Sequence, residues 1–423
     1  MRFNRSNQSY VDTTVLSTTS DNGVAVGMTE RNGRLVIILT DGSVQVRNSS
    51  SLSLITIFTV SGAKDVAILS DDTMWIVAGT KIRRYSATGT DLGDVIDDVV
   101  KPGSISVDNF GRLVVCENGP LHQVLFYSST ARVATFGTEG GINAGTAGQV
   151  QPLKFWNLAG AGTDSSGNIY VALCGAIWDG LRLRKFTSTG NLVWELKGDH
   201  FLDSVVVDPA SDGADVYGSE EHYSMNASAV GANSDTLVGY TFNPDSTDDP
   251  RTDGSLHASW ARRINGKLFL YMTNMYHAPI QIYGFHNGEQ AQHDLSFSTF
   301  PWGWGRYVDK NATIWESDGL VIHKTPLTGL DASDKPVYGT TVTQSAPSTF
   351  TSIERLEYDS PNDVMYLAGY TPALPRETWG VVGRVLARYN NWSTGNRTAA
   401  WTIDLVSDSA NNLYMKTMTT EGD

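Results

Sequence analysis

The sequence predicts an all-β chain built from one repeated unit of four short strands, and three observations predict it. Apolar and polar residues alternate with period 2 along the chain, while the i, i+3, i+4, i+7 spacing of an amphipathic helix is missing from every long stretch. A tight turn rich in Asp, Asn and Gly, followed at once by a β-rich run, returns eight times. The markers Gly33, Asp72, Gly111, Gly167, Gly213, Gly266, Asn311 and Asn362 are spaced roughly 40 to 55 residues apart, the length of a four-stranded blade. Units this small cannot each enclose a core, so their sheets must pack face to face around an axis. The expected architecture is a β-propeller of eight blades, with seven as the alternative, and residues 1–423 read as a single propeller domain.

The clearest unit runs from Ser104 to Val115: an alternating strand, the Asp108-Asn109-Phe110-Gly111 turn and a second strand, with Val124–Tyr127 and Arg132–Phe136 completing four. The same grammar occupies Ala161–Ala172 around Asp164-Ser165-Ser166-Gly167-Asn168. Elsewhere the second strands are Leu35–Ile38, Met74–Val77, Asp215–Tyr217, Leu268–Tyr271, Thr313–Trp315 and Val364–Leu367. At the ends, Ser9–Ser17 reads as a strand that closes the ring into the last blade, and Leu413–Thr420 as the first strand of a further unit.

Pro102-Gly103 through Val115 and Gly160 through Ala172, the latter followed by Arg184-Lys185-Phe186, resemble the NHL-repeat propellers over less than a quarter of the chain. Trp302-Gly303-Trp304, Asp309, Ile314-Trp315 and Gly329-Leu330-Asp331 resemble, more loosely, the gluconolactonase and senescence-marker-protein group of lactonases and esterases. That resemblance implies one axial divalent metal, calcium or zinc, held by Glu, Asn and Asp side chains. It assigns no individual ligand.

Composition narrows the function classes. With 31 basic and 45 acidic side chains the net charge is -14, which excludes a general nucleic-acid or anionic-membrane surface. No run of apolar residues is long enough for a membrane span. Two cysteines, Cys116 and Cys174, exclude a disulfide framework; they read as two buried thiols, with a single bridge as the alternative. Low charge, scarce Lys and abundant Ser, Thr, Asn and Gly point to an extracellular or periplasmic chain, a mature domain or a piece of a longer secreted protein, although the start shows no signal peptide.

Blade topology puts the first-to-second and third-to-fourth turns on one face and the other connections on the opposite face. Gly218–Asp235 and Gly369–Thr378 read as long loops on that second face, where binding residues gather. Four of the eight histidines map there: His200 and His257 ahead of first strands, His222 and His277 just past second strands. Their convergence predicts an acid–base or metal site with His222, His277, Tyr223 and Glu221 as catalytic groups. His200, His257, Tyr276, Trp302 and Arg306 would bind substrate, Arg306 either holding a substrate carboxylate or pairing with Asp309. Glu117-Asn118, Trp178-Asp179 and Glu316-Ser317-Asp318 occupy matching positions and are the candidates for an axial cation; the bland alternative is turn formation. The aromatics Phe155, Trp156, Phe201, Trp260, Trp302 and Trp304 read as wedges between blades, or else as sugar-stacking platforms. The remaining histidines, His122, His286, His293 and His323, fall in third strands or third-to-fourth turns.

Three functions follow. The first is metal-assisted hydrolysis of an ester, lactone or phosphoester at the rim or axis. The second is a polysaccharide lyase or glycosidase, and the third a non-catalytic binding scaffold. The expected partner is a small molecule or carbohydrate.

Overall fold

The computed structural model describes residues 2–4, 9–12, 24–174, 181–198, 205–218, 220–226, 228–229, 234–242, 256–274, 279–286, 288–298, 305–370, 384–395 and 397–405. Among them are eight four-stranded antiparallel sheets, each an up-and-down meander whose strands follow one another in sequence except in sheet 7. The fold is all-β and of propeller type. No helix among the described residues is long and apolar enough to cross a membrane.

Two compact units divide the chain. The first, Met1–Gly145 with Val150–Phe201, holds sheets 1 to 4; the second, Thr146–Gln149 with Leu202–Asp423, holds sheets 5 to 8. The first strands of the four sheets in unit one are Ala25–Arg31, Ala63–Ile68, Pro102–Val107 and Leu158–Thr163. Those of unit two are Val206–Val207, Leu256–Ile264, Gly305–Val308 and Ser352–Asp359. Each of the eight turn markers sits between the first and second strand of its sheet. In sheet 7 a small hairpin, Leu327–Leu330 with Pro336–Tyr338, interrupts the path to the fourth strand, Val342–Ser345.

Consecutive sheets within a unit share their apolar faces. Val36, Val46, Val66 and Met74 join sheets 1 and 2, and Trp75, Val77, Val115 and Leu125 join sheets 2 and 3. Phe136, Phe155 and Phe186 cluster between sheets 3 and 4 with ring centroids 5.1–6.0 Å apart, Phe186 meeting the other two edge-on. Unit two repeats the device through Tyr217 with Leu270, Tyr271 with Ile314, and Trp315 with Leu367. Phe155 and Trp156 are fully buried wedges, and Trp260 packs on Tyr307; Phe201, Trp302 and Trp304 lie outside the described residues.

The turns also bind sheet to sheet. Asn32 reaches Asp72 and the Ser70 carbonyl, Asn109 the Thr163 carbonyl, and Asn311 Ser360, so the first turns of sheets 1, 3 and 7 each touch the following sheet. Asp208 accepts two hydrogen bonds from Arg263, and Arg262 donates to the Val308 and Asp309 carbonyls.

Several expectations need correction. Ser9–Asp12 pairs with Arg2–Asn4 in a hairpin of its own, while 13–23 and 406–423 lie outside the described residues. Gly218–Asp235 is no single loop: Glu221–Met225 is the third strand of sheet 5, and the longer connection follows it, between the third and fourth strands. Its polar run Glu-Glu-His-Tyr hides the alternation because the strand buries charged groups in pairs rather than apolar ones. His257 lies within a nine-residue first strand, opposite Thr273, and not in a crossing. His122 precedes the third strand of sheet 3, in the second-to-third connection, and His293 lies in a fourth strand. The two cysteines are free; Cys116 is buried and Cys174 exposed at a strand end. Gly369 and Tyr370 end a second strand, and the rest of the predicted long loop lies outside the described residues.

Candidate functional site

Of the predicted site residues, His200, Tyr276, His277 and Trp302 lie outside the described residues, as do Trp178 and Asp179, and of the His257 side chain nothing is described. His222, Tyr223 and Glu221 sit together in the third strand of sheet 5, opposite Gly239, Leu237 and Tyr240 of the fourth. Glu221 is fully buried and His222 nearly so.

Both imidazole nitrogens of His222 are engaged: Nε2 meets Asp215 Oδ1 at 2.8 Å and Nδ1 meets Glu289 Oε2 at 2.9 Å. Asp215 is on the neighbouring second strand, and Glu289 on the third-to-fourth connection of sheet 6. The ring stacks on Tyr217 at 4.5 Å and 15°. Burial, the largest single influence, disfavours the imidazolium, yet the bonds and charges of Glu289 and Asp215 outweigh it together and raise the His222 pKa. The His222 bond in turn holds the Glu289 carboxyl below its ordinary range. With no nitrogen lone pair left over, this arrangement suits a staple between two sheets and does not suit a metal ligand.

The carboxylates and amides at second-strand ends are engaged likewise. Glu117 accepts hydrogen bonds from the amides of Val100, Lys101 and Gly119 at 3.1, 3.0 and 2.6 Å. Asn118 donates to the Leu158 carbonyl at 2.9 Å and accepts from the Leu158 amide at 2.6 Å, clamping sheet 3 to sheet 4. Asp318 caps the Leu320 and Val321 amides. Arg306 faces Glu316 across a strand pair at 3.6 Å, rather than Asp309, whose carboxylate accepts from Asn311, Thr313 and the Trp315 indole. Burial pulls the Arg306 pKa down, against the pull of Glu316. Among the described residues no three His, Cys, Asp or Glu side chains converge as a metal site would require.

A different concavity does appear, in unit one. Six first strands carry a register shift near their start, between Ala25 and Gly27, Ala63 and Val66, Pro102 and Ile105, Leu158 and Gly160, Ala258 and Trp260, and Ile353 and Arg355. A bulge leaves residues out of the ladder and re-aims them. In unit one the bulged residues Val26, Lys64, Asp65, Gly103, Ser104 and Ala159, with Gly27, Met28 and Leu158, line one pocket of about 500 Å³. Glycine is required where strands meet most closely: a Cβ on Gly27 would stand 2.6 Å from the Lys64 carbonyl oxygen.

Within this pocket Asp65 accepts from its neighbour Val66 at 2.9 Å and from Ile105 of sheet 3 at 2.8 Å. Burial pushes the carboxyl above its ordinary value, and those amides only partly oppose the shift. The same burial, with the Asp65 charge, lifts the Cys116 thiol to about 12, so Cys116 is no nucleophile. Val26 and Met28 expose apolar surface beside it. Sequence reasoning missed this site because a bulge breaks the alternation that locates strands; the signal available was the small residue at Gly27, Gly103 and Gly160 near each strand start.

No protein-family model matches the sequence, and no curated protein matches it. Among solved structures, the chain is similar to hydrazine synthase of Kuenenia stuttgartiensis, at 11% identity over 86% of this chain and 96% of that one, with a TM-score of 0.33. A streptogramin B lyase shows 12% identity over 78% and 96% of the two chains, at a TM-score of 0.31. Virginiamycin B lyase from Staphylococcus aureus, in a catalytically inactive form with quinupristin, shows 13% identity over 71% and 93%, also at 0.31.

Proposed function

We propose that the chain is a binding propeller that captures a small amphipathic molecule in the pocket of the bulged first strands. The observation that carries this is an open concavity of about 500 Å³ that sets apolar Val26, Met28 and Leu158 beside polar Lys64, Asp65 and Ser104, a mixture suited to an amphipathic ligand. The neutral fluorescent probe N-phenyl-1-naphthylamine tests it. Saturable binding is expected, weakened about tenfold or more in Ala159→Trp, whose exposed side chain fills the pocket, with the melting temperature unchanged. Equal affinity in the two proteins would overturn the assignment.

Hydrolysis of an ester, lactone or phosphoester is the second reading, and Asp65 favours it. A carboxyl whose pKa is raised in a cleft retains its proton nearer neutrality and can donate it to a leaving group. The described residues hold no set of side chains that would fit a metal. Turnover of a p-nitrophenyl ester that disappears in Asp65→Asn, in protein of intact secondary structure, would support it; undiminished turnover would remove it.

A further inference from the structure

We propose that protonated His222 is a pH-sensitive latch that holds the sheet 6 connection around Glu289, and with it the segment Thr146–Gln149, against the fourth strand of sheet 5. Both loosen when the ring loses a proton. An ionised carboxylate only accepts hydrogen bonds, so the contacts of Nε2 with Asp215 and of Nδ1 with Glu289 together need two N–H donors, and a neutral imidazole has one. Asp215 is fixed in the second strand, paired with Ser224, whereas Glu289 sits on a connection between strands, so the Glu289 bond is the one that yields. The other ionisable groups around the ring leave this balance in place. Arg263 pairs with Asp208 on the first-to-second turn, and burial lifts the stacked Tyr217 phenol above its ordinary range, which keeps it neutral. Glu221, one residue earlier, belongs to the opposite face of the strand.

The segment meets sheet 5 beside the latch. Gly239, which faces His222 in the ladder, forms an isolated bridge with Gln149, and the Tyr240 amide donates to the Gly148 carbonyl at 2.9 Å. Glu289 and Gln290 close over this contact: a Cβ on Gly239 would lie 3.4 Å from Glu289 Cβ, and one on Gly148 would lie 2.8 Å from Gln290 Cγ. Gly145-Thr146-Ala147-Gly148-Gln149 carries no charge of its own. The connection also donates to the Thr241 and Phe242 carbonyls through Ala291 and Gln290, so the release is a local loosening and not a detachment.

Hydrogen–deuterium exchange of the full chain near pH 6 and near pH 9 tests the latch, read as protection factors so that the chemical pH dependence of exchange cancels. Protection of residues 146–149 and 288–291 should fall about tenfold at the higher pH, while the strand Leu113–Glu117 of unit one keeps its protection. Glu289→Gln should hold both segments equally well at the two pH values, because an amide can donate to a neutral ring or accept from it. His222→Gln should likewise abolish the difference between the two pH values. Equal protection at both in the unaltered protein would overturn the proposal, as would a difference that persists in both variants. A fall that Leu113–Glu117 shares would be global unfolding and would overturn it too.

Discussion

His222 shows how a side chain chosen for chemistry by its neighbours in sequence can serve the fold instead. Its raised pKa makes its contribution to stability complete below about pH 6.5 and lost as pH rises through the elevated value. Glu289, held low, contributes fully above about pH 4.5 and less as pH falls. Stability of the staple should therefore peak between the two. His222→Gln is expected to cost about 2 kcal/mol near pH 6 and distinctly less near pH 9, read by urea unfolding at both. A larger cost at the higher pH would contradict the geometry. Asn118 gives a second case. Asn118→Ala leaves the Leu158 amide and carbonyl without their partner and should cost about 2 kcal/mol. Asn118→Asp should be no better, because a carboxylate keeps the acceptor but sets a negative charge against a carbonyl. The acid–base role expected for His222 with His277, Tyr223 and Glu221 makes the opposite prediction: His222→Ala abolishes turnover without moving the unfolding midpoint.

At the level of strands and turns, much of the structure is legible in the sequence. Asp108, Asp164 and Asp309 close their turns by accepting from amides two and four residues on, which is why the Asp-x-x-Gly turns of sheets 3 and 4 gave the clearest units. Positive φ is served by Asn32-Gly33 and Asn265-Gly266 in the same way. The glycines are not equivalent, however. Gly42, at φ 84°, would bring a Cβ to 2.7 Å from the Val60 carbonyl oxygen, so Gly42→Ala should cost about 2 kcal/mol or more. Gly33 has open space around it, and Gly33→Asn, a residue that tolerates the left-handed region, should cost under about 1 kcal/mol. Thermal denaturation of the two variants compares them directly. What stayed hidden were strands whose buried residues are polar. Glu221–Met225 reads as a loop because Glu221 and His222 carry charge into the interior, and a single sequence does not display the Glu289 that meets His222 from 67 residues away. Bulges hid the pocket for a related reason: each shifts the alternation by one residue where the lining side chains emerge.

For the whole molecule, repetition explains both the success and the limit of sequence reasoning. Eight similar sheets announce themselves by their shared turns, and the turn residues double as contacts to the next sheet, so the same signal encodes strand pairing and sheet stacking. Repetition also multiplies Asp, Asn, Glu and His at equivalent ends. Those at Glu117, Asn118, Asp318 and His222 close backbone and sheet-to-sheet bonds, and the proposed ligand site is instead the concavity of unit one. Hydrogen–deuterium exchange with and without saturating N-phenyl-1-naphthylamine tests this division of labour most directly. Protection is expected around Val26–Met28, Lys64–Asp65, Gly103–Ser104 and Leu158–Ala159, with exchange near His222 unchanged. Protection centred on residues 220–223, with none in the four bulged strands, would contradict it.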